Sequence, residues 1–280
     1  NSYRISHHND TIFMIKKVFI GAAFLLLSAS ITQPVSAQSI IPQPESITRQ
    51  QGTFTLAKGL QGVTNLKGKD FKILNQYTSD VMNIPFSSVK NPSADAPLRL
   101  ICTGTAQEAA MAADSVSLQG YELNVTPTAV TIQARTPMGL FYGLQTLRQL
   151  VKDRQIPCVK ITDAPRFAYR GLMIDCSRHF WSSDEIKKQL DAMAYFKLDR
   201  FHWHLTDGGG WRMEVKQYPR LTEETAYRTE SDWTKWWNGK NRQYSPNPSR
   251  LVCWKGMNIH GGYYTQEDIK DIVRYAASRH

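Results

Sequence analysis

Residues 169–222 read YRGLMIDCSRHFWSSDEIKKQLDAMAYFKLDRFHWHLTDGGGWRMEVKQYPRLT. Two short apolar runs, Leu172–Ile174 and Phe201–Leu205, flank a segment with helical periodicity. A continuous apolar run of this length is typical of a strand that is covered on both faces. Polar and ionisable residues follow each run. The order strand, helix, strand predicts a parallel β/α unit, and barrel enzymes place their active-site residues at the carboxyl ends of such strands.

The segment between the two runs has the signature of a helix start. Ser182 precedes Glu185 by three residues, which is the spacing of a capping box, and apolar residues then recur at helical spacing through 186–194. A second helix of the same kind is predicted after Thr265. We therefore predict that residues 166–280 form the start of a TIM (β/α)8 barrel, an α/β catalytic domain, and that the barrel is incomplete because two strands cannot close it.

Residues 38–165 predict a separate, small α+β domain that precedes the barrel. Strand-like runs occupy Leu98–Ile101, Tyr121–Val125 and Val130–Ala134. Pro137 stands at the first position of a helix whose apolar residues lie on one face, where a missing N–H is tolerated.

Residues 14–37 have the order of a secretory signal peptide. Two lysines precede the apolar run 18–27, and small residues at 35–37 precede the expected cleavage point. We interpret residues 1–13 as over-extended translation. The protein is expected to be exported, periplasmic or extracellular, with no membrane attachment after cleavage.

The net charge of +10 invites a nucleic-acid interpretation, which the distribution of charges does not favour. The 34 basic residues are scattered, with no run longer than a pair, and no nucleic-acid motif accompanies them. The four cysteines lie far apart without a CxxC pair, which is untypical of a disulfide scaffold.

Candidate site residues lie next to the two predicted strands. Asp207 follows the second strand and precedes three glycines, which allow a sharp turn at the barrel mouth. Asp175 and His179 follow the first strand, as supports of a site or as members of a buried ion-pair network. Arg170 has forked donors that suit sugar hydroxyls or a carboxylate, although it lies near the amino end of its strand. The alternative for Arg170 is a salt bridge at the domain interface.

His202 and His204 present a different possibility. Two histidines separated by one residue on a strand place both rings on one face, as zinc-dependent amidohydrolases require. Histidines satisfied by hydrogen bonds within the fold are the commoner case. A metalloenzyme is therefore the more distant alternative, and we predict neither metal nor cofactor.

Aromatic residues crowd the segment 225–262. Trp233, Trp236 and Trp237 are close together there. Flat rings on a barrel loop suit stacking against sugar faces, whereas a self-packed cluster would have the same composition. The sequence leaves both interpretations open.

Four segments, RGLMIDCSRHF, FHWHLTDGGGWRMEV, YPRLT and GGYYTQEDIKDIVRYAASRH, closely resemble the family-20 glycoside hydrolases, the β-N-acetylhexosaminidases. GYELNV and TPMGLFYGLQTLRQL extend the resemblance into the preceding domain, so that it runs from about residue 41 to the end. The resemblance implies a retaining exo-glycosidase that removes terminal β-linked N-acetylglucosamine or N-acetylgalactosamine from glycans, without cofactor. In such enzymes the 2-acetamido oxygen of the substrate attacks the anomeric carbon and gives an oxazolinium intermediate.

The resemblance also implies roles for individual residues. Arg170 matches the arginine that grips the hydroxyls of the sugar ring, and Asp207 matches the aspartate that supports the acid glutamate through a histidine. That histidine, the glutamate and the aspartate before it are expected after His280, so residues 1–280 alone are expected to be inactive. Gly208 departs from the many members that have a second aspartate there. The alternative is a glycan-binding relative that keeps the fold but lacks the acid.

Overall fold

A computed structural model describes residues 40–230, 232–239, 244–245, 253–254, 257–258 and 260–280. The expected signal peptide (14–37) and the expected over-extended start (1–13) lie outside the described residues. Within the described ranges, none of the helices combines the length and the apolar character that crossing a membrane requires.

The first part of the described chain is built on one mixed sheet. Its seven strands are β1 (Ser46–Thr55), β2 (Gly62–Thr64), β3 (Phe86–Ser88), β4 (Leu98–Cys102), β5 (Tyr121–Val125), β6 (Val130–Ala134) and β7 (Gln155–Asp163). They lie in the order β1-β7-β5-β6-β4-β2-β3. The strands β1, β7, β5 and β6 pair antiparallel, whereas β6, β4, β2 and β3 pair parallel. The predicted strands β4, β5 and β6 are confirmed.

Three helices belong to this sheet: α1 (Gly68–Met82), α2 (Ala106–Met111) and α3 (Pro137–Leu150). The predicted start of α3 is confirmed, because the Thr136 hydroxyl accepts the Gly139 N–H and Pro137 occupies the first turn. Leu123 and Ile132 from the sheet and Leu140 and Leu144 from α3 are fully buried. Their burial fixes α3 against the sheet and makes this layer the core of the α+β domain.

The second part begins with the predicted β/α unit, β8 (Gly171–Asp175), α4 (Ser183–Tyr195) and β9 (Arg200–His204). The two strands are parallel, with Asp175 opposite His204 in the register. The Ser182–Glu185 capping box is present at the start of α4. The strand–helix–strand prediction is confirmed, although β9 begins and ends one residue earlier than expected.

Short elements follow β9. They are β10 (Thr206–Asp207), β11 (Gly210–Trp211), α5 (Arg220–Glu223), β12 (Tyr227–Arg228), α6 (Trp233–Asn238), β13 (Tyr244–Ser245), β14 (Cys253–Trp254), β15 (Met257–Asn258), β16 (His260–Gly261) and α7 (Gln266–Ala277). The strands β10 and β11 form a hairpin, and β12 lies between β13 and β16. The helices α4 and α7 pack on the β8–β9 pair through a second core, which includes Ile186, Leu190 and Ile272.

A buried ionic cluster joins the two parts. Lys197, two residues after the end of α4, donates from Nζ to Asp163 Oδ2 at 3.0 Å and to the Tyr121 hydroxyl at 2.8 Å. The Tyr121 hydroxyl also donates to Asp163 Oδ2, at 2.8 Å. The Lys197 and Asp163 side chains are only 7% and 13% exposed. Burial lowers the pKa of Lys197, and the Asp163 carboxylate opposes that effect. Ala194 of α4 is also buried in the core of the α+β domain. The second part of the chain is thus fixed to the α+β sheet by charge as well as by apolar packing.

Candidate functional site

Polar side chains meet at the carboxyl ends of β8 and β9. The guanidinium of Arg178 lies between two carboxylates, with Nη1 at 2.8 Å from Asp175 Oδ2 and 2.8 Å from Asp207 Oδ2. His204, the last residue of β9, brings Nε2 to 3.5 Å from Asp207 Oδ2. All four side chains are partly exposed, so the group is open to a ligand and is not the buried ion-pair network that the sequence also allowed.

The turn after β8 orients Arg178. Asp175 Oδ1 accepts the backbone N–H groups of Ser177 at 2.9 Å and Arg178 at 3.0 Å, while its other oxygen takes the guanidinium. The Ser177 hydroxyl donates to the Gly210 carbonyl at 3.0 Å, which fastens this turn to the β10–β11 hairpin. Asp175 therefore sets both the backbone and the side chain of Arg178.

Asp207 lies in the hairpin and not at the end of the longer strand, which corrects the expected placement. Its Oδ1 accepts the Gly208 N–H at 2.6 Å. This hydrogen bond, and after it the charges of Arg178 and His204, lowers the pKa of Asp207. Asp207 is therefore a stable carboxylate at neutral pH, ready to accept hydrogen bonds or to hold a cationic histidine.

A buried arginine supports the loops of the site. Arg212 is fully buried and donates from Nε to the Cys176 carbonyl at 2.9 Å and from Nη2 to the Ser177 carbonyl at 2.9 Å. Its Nη1 donates to the carbonyls of Ala226 and, at 3.1 Å, of Gly262. Burial lowers the pKa of Arg212 to about 10, so that it stays charged at neutral pH. Sequence reasoning missed this residue, because an arginine after a tryptophan carries no signal of burial.

Trp233 lies against the group, whereas His179 does not. The guanidinium carbon of Arg178 is 5.9 Å from the centroid of the Trp233 ring. The His179 ring packs instead on Trp181, at 4.9 Å between centroids, and on His260, at 4.7 Å. Of the predicted site residues, the structure brings together Asp175, His204, Asp207 and Trp233, all of them around Arg178.

Arg170 lies at the opposite end of β8, which corrects its assignment to the sugar site. Its Nη2 bonds the Gln119 side-chain oxygen at 2.8 Å and the Tyr142 hydroxyl at 3.0 Å, both in the α+β domain. The same nitrogen is 3.2 Å from Asp199 Oδ2, and Nε donates to the Lys197 carbonyl. These contacts place Arg170 at the interface with the α+β domain, which is the alternative that the sequence left open. We therefore place Arg178 in the candidate site in its stead.

The two histidines of β9 share one face, as predicted. Their rings are nearly parallel, with an interplanar angle of 19° and centroids 6.2 Å apart. His204 Nε2 lies 3.2 Å from the Thr206 carbonyl as well as near Asp207. In the described part of the chain, no group of three or more His, Cys, Asp or Glu residues is arranged to hold a metal ion.

His260, in β16, is a titratable group whose ring packs on that of His179. Its Nε2 is buried and has no hydrogen-bond partner among the residues that the structure describes. Burial is the largest effect on its pKa, and the contributors after it are His179, Arg228 and Arg212. Together they lower the pKa of His260 to about 4.

This shift predicts loss of stability in mild acid. An unfolded histidine titrates near pH 6.5, so between pH 6.5 and about 4 the unfolded chain binds a proton that folded His260 does not. Its contribution is present above pH 6.5 and lost as the pH falls towards 4. This contribution, reduced by solvent screening because His260 is only half-buried, should fall by about 1–2 kcal/mol over this window, and His260→Gln should lack that fall. Urea unfolding at pH 7 and pH 4.5 measures it, and equal pH dependence in both proteins would contradict it.

Comparison with known families matches both parts of the chain. The family described as "Glycosyl hydrolase family 20, domain 2" matches residues 37–164, and "Glycosyl hydrolase family 20, catalytic domain" matches residues 167–280. The beta-hexosaminidase of Vibrio furnissii is 32% identical over 245 residues, covering 86% of this chain and 36% of that protein. The beta-hexosaminidase of Porphyromonas gingivalis is 42% identical over 172 residues, covering 58% of this chain and 19% of that protein.

Solved structures of two enzymes are also similar to this chain. A mutant of the Streptomyces plicatus beta-hexosaminidase in complex with the product GlcNAc superimposes with a TM-score of 0.66 at 28% identity, covering 89% of this chain and 45% of that chain. The GH20 exo beta-N-acetylglucosaminidase of Vibrio harveyi in complex with N-acetylglucosamine gives 0.65 at 29% identity, covering 86% and 35%.

The chain therefore belongs to glycosyl hydrolase family 20, a family of glycoside hydrolases, and its fold is that of a small α+β domain followed by the start of a TIM-barrel catalytic domain. It spans between about a fifth and under half of the length of these relatives.

Proposed function

We propose that the protein is an exported, retaining exo-β-N-acetylhexosaminidase that removes terminal N-acetylglucosamine or N-acetylgalactosamine from the non-reducing ends of glycans. The observation that carries this proposal is the Arg178 guanidinium between Asp175 and Asp207, at the carboxyl ends of the first two barrel strands. It supports the proposal because barrel enzymes bind substrate at that end of their strands. The relatives named beta-hexosaminidase, and the N-acetylglucosamine bound to two of the solved structures, support the same substrate class.

In this proposal Arg178 binds hydroxyls of the terminal sugar. A guanidinium whose Nη1 is fixed by two carboxylates keeps donors on Nη2 that point along a set direction. Charged donors of this kind bind a hydroxyl pair more strongly than neutral ones do. Arg178 thus takes over the sugar-gripping role that the family resemblance suggested for Arg170.

Asp207 would act on the proton transfer. As a carboxylate with a lowered pKa it can hold a histidine in the orientation that supports the acid glutamate. The 2-acetamido oxygen of the substrate would attack the anomeric carbon while that glutamate protonates the leaving oxygen. We propose that the histidine, the glutamate and its neighbouring aspartate are supplied by residues other than those of this sequence.

The test uses the protein expressed from the complete gene. Asp207→Asn removes the charge and keeps the shape, so we expect kcat for nitrophenyl N-acetylglucosaminide to fall by more than KM rises. Arg220→Gln, which alters an exposed ion pair with Glu224, is the matched control and should change neither constant. A variant that changes only KM would place Asp207 in substrate binding. An inactive wild type that still binds N-acetylglucosamine would favour the non-catalytic glycan-binding alternative.

A further inference from the structure

The backbone of Arg212 is fixed near the carboxyl ends of the two barrel strands. Its N–H donates at 3.1 Å to the carbonyl of Leu205, one residue past the end of β9. Its carbonyl accepts the N–H of Tyr264 at 2.7 Å, directly before the N-terminal cap of α7. Tyr264 is itself buried. The Arg212 side chain therefore starts from a point that is held by both neighbouring elements.

The Arg212 guanidinium reaches the turn that precedes Arg178. Its Nε donates to the Cys176 carbonyl and its Nη2 to the Ser177 carbonyl, both at 2.9 Å. Cys176 and Ser177 are fully buried, so water cannot replace the guanidinium as the donor to these two carbonyls. The position of this turn, and with it the point from which the Arg178 side chain starts, therefore depends on Arg212.

The same guanidinium closes the base of the segment between Ala226 and Gly262. Its Nη1 donates to both of their carbonyls, and the Gly262 N–H donates to the Ala226 carbonyl at 3.1 Å. This segment contains Trp233, whose ring lies against the Arg178 guanidinium. One buried side chain thus holds both the turn before Arg178 and the segment that packs on Arg178.

Gly210 leaves the space that this arrangement needs. A Cβ atom at position 210 would lie 2.5 Å from the guanidinium carbon of Arg212, so a larger residue would displace the guanidinium. The Gly210 carbonyl accepts the Ser177 hydroxyl at 3.0 Å. The β10–β11 hairpin, the turn after β8 and the Arg212 side chain therefore pack as one unit.

We propose that Arg212 is a positioning residue for sugar binding, which holds the Arg178 guanidinium where the hydroxyls of the terminal sugar meet it. This inference rests on the proposed function, in which Arg178 binds that sugar. Arg212 is fully buried, so it acts through the turn and not by touching the sugar. The role needs a guanidinium, because its three nitrogens donate in different directions, whereas the single ammonium of lysine cannot reach carbonyls on both sides.

The experiment measures by calorimetry how tightly N-acetylglucosamine binds to the protein from the complete gene. For Arg212→Lys we expect the dissociation constant to rise about threefold to tenfold, since a displaced Arg178 keeps only part of a hydrogen bond from a charged donor. Arg170→Lys makes the same change at an arginine whose side chain is only 12% exposed and bonds across the domain interface. As the matched control, it should leave the dissociation constant unchanged.

A double variant separates positioning from a general loss of stability. If Arg212 acts through Arg178, then Arg178→Lys/Arg212→Lys should bind N-acetylglucosamine as weakly as Arg178→Lys alone, within about twofold. Two effects that multiply would overturn the proposal, and so would an unchanged dissociation constant in Arg212→Lys.

Ser177→Ala replaces Arg212→Lys in both measurements if the latter does not fold. It releases the same turn from the Gly210 carbonyl without altering a buried charge. We expect Ser177→Ala to raise the dissociation constant about twofold to fivefold, and to add nothing to Arg178→Lys. An unchanged constant in Ser177→Ala, or a further loss on top of Arg178→Lys, would then overturn the proposal.

The binding measurement also distinguishes this inference from the proposed function. A wild type that binds N-acetylglucosamine but does not hydrolyse its nitrophenyl glycoside would contradict the proposed function alone, and the double variant would still decide the role of Arg212. A wild type that does not bind N-acetylglucosamine would overturn both.

Discussion

Replacement of Arg178 by lysine is expected to lower kcat/KM for β-linked N-acetylglucosaminides roughly tenfold to hundredfold, since a hydrogen bond from a charged donor contributes about 1.5–3 kcal/mol. Lysine keeps the positive charge between Asp175 and Asp207, but a single ammonium cannot bridge two carboxylates and also present a fork to a pair of hydroxyls. The measurement is steady-state kinetics of the protein from the complete gene.

Arg170→Lys is the matched control, because it makes the same chemical change eight residues earlier in the chain. Arg170 uses its fork on Gln119 and Tyr142 across the domain interface. We therefore expect its replacement to lower the melting temperature and to leave kcat/KM nearly unchanged. The opposite pattern, with kinetics altered by Arg170→Lys and not by Arg178→Lys, would restore Arg170 to the sugar site.

The difference between Arg170 and Arg178 shows what could be predicted from the sequence and what could not. Both lie in RGLMIDCSRHF, in which we matched the sugar-gripping arginine of the family to Arg170. The strand assignment points instead to Arg178, because Arg170 precedes β8 whereas Arg178 lies three residues past its end. In a parallel barrel only the second position is at the carboxyl end of the strand, where ligands bind. Periodicity placed the strand correctly, and this geometric rule is the reason why we propose Arg178 and not Arg170 for the sugar site.

Other features had no signal in the sequence. The strand β7 contains Pro157, which lacks an N–H and argues against an interior strand, yet β7 lies between β1 and β5. In the neighbouring strand β1, Thr53 lies opposite Pro157. The register of β1 shifts between Arg49 and Thr53, so the proline is accompanied by an irregularity in the strand beside it. The burial of Arg212 and Lys197 depends on carbonyls and carboxylates supplied from distant parts of the chain. Contacts of that kind cannot be inferred from local composition.

Lys197 leads to the largest expected effect on stability. Lys197→Met should lower the free energy of unfolding by about 3–5 kcal/mol, because it leaves the Asp163 carboxylate buried without its cation. Methionine retains most of the side-chain volume, so the loss comes from charge and not from a cavity. Urea unfolding of the protein from the complete gene measures the change.

Two further variants make the test specific to burial. Arg135→Met breaks the ion pair with Glu108, in which the arginine side chain is 58% exposed, and should alter stability by less than about 1 kcal/mol. The double variant Lys197→Met/Asp163→Asn removes the uncompensated charge, so it should be more stable than Lys197→Met alone. If Lys197→Met were no more harmful than Arg135→Met, the cluster would have to be solvated, and its role in fixing the barrel to the α+β domain would be wrong. A higher free energy of unfolding in the double variant than in Lys197→Met would instead show that the buried, unpaired carboxylate of Asp163 is what destabilises Lys197→Met.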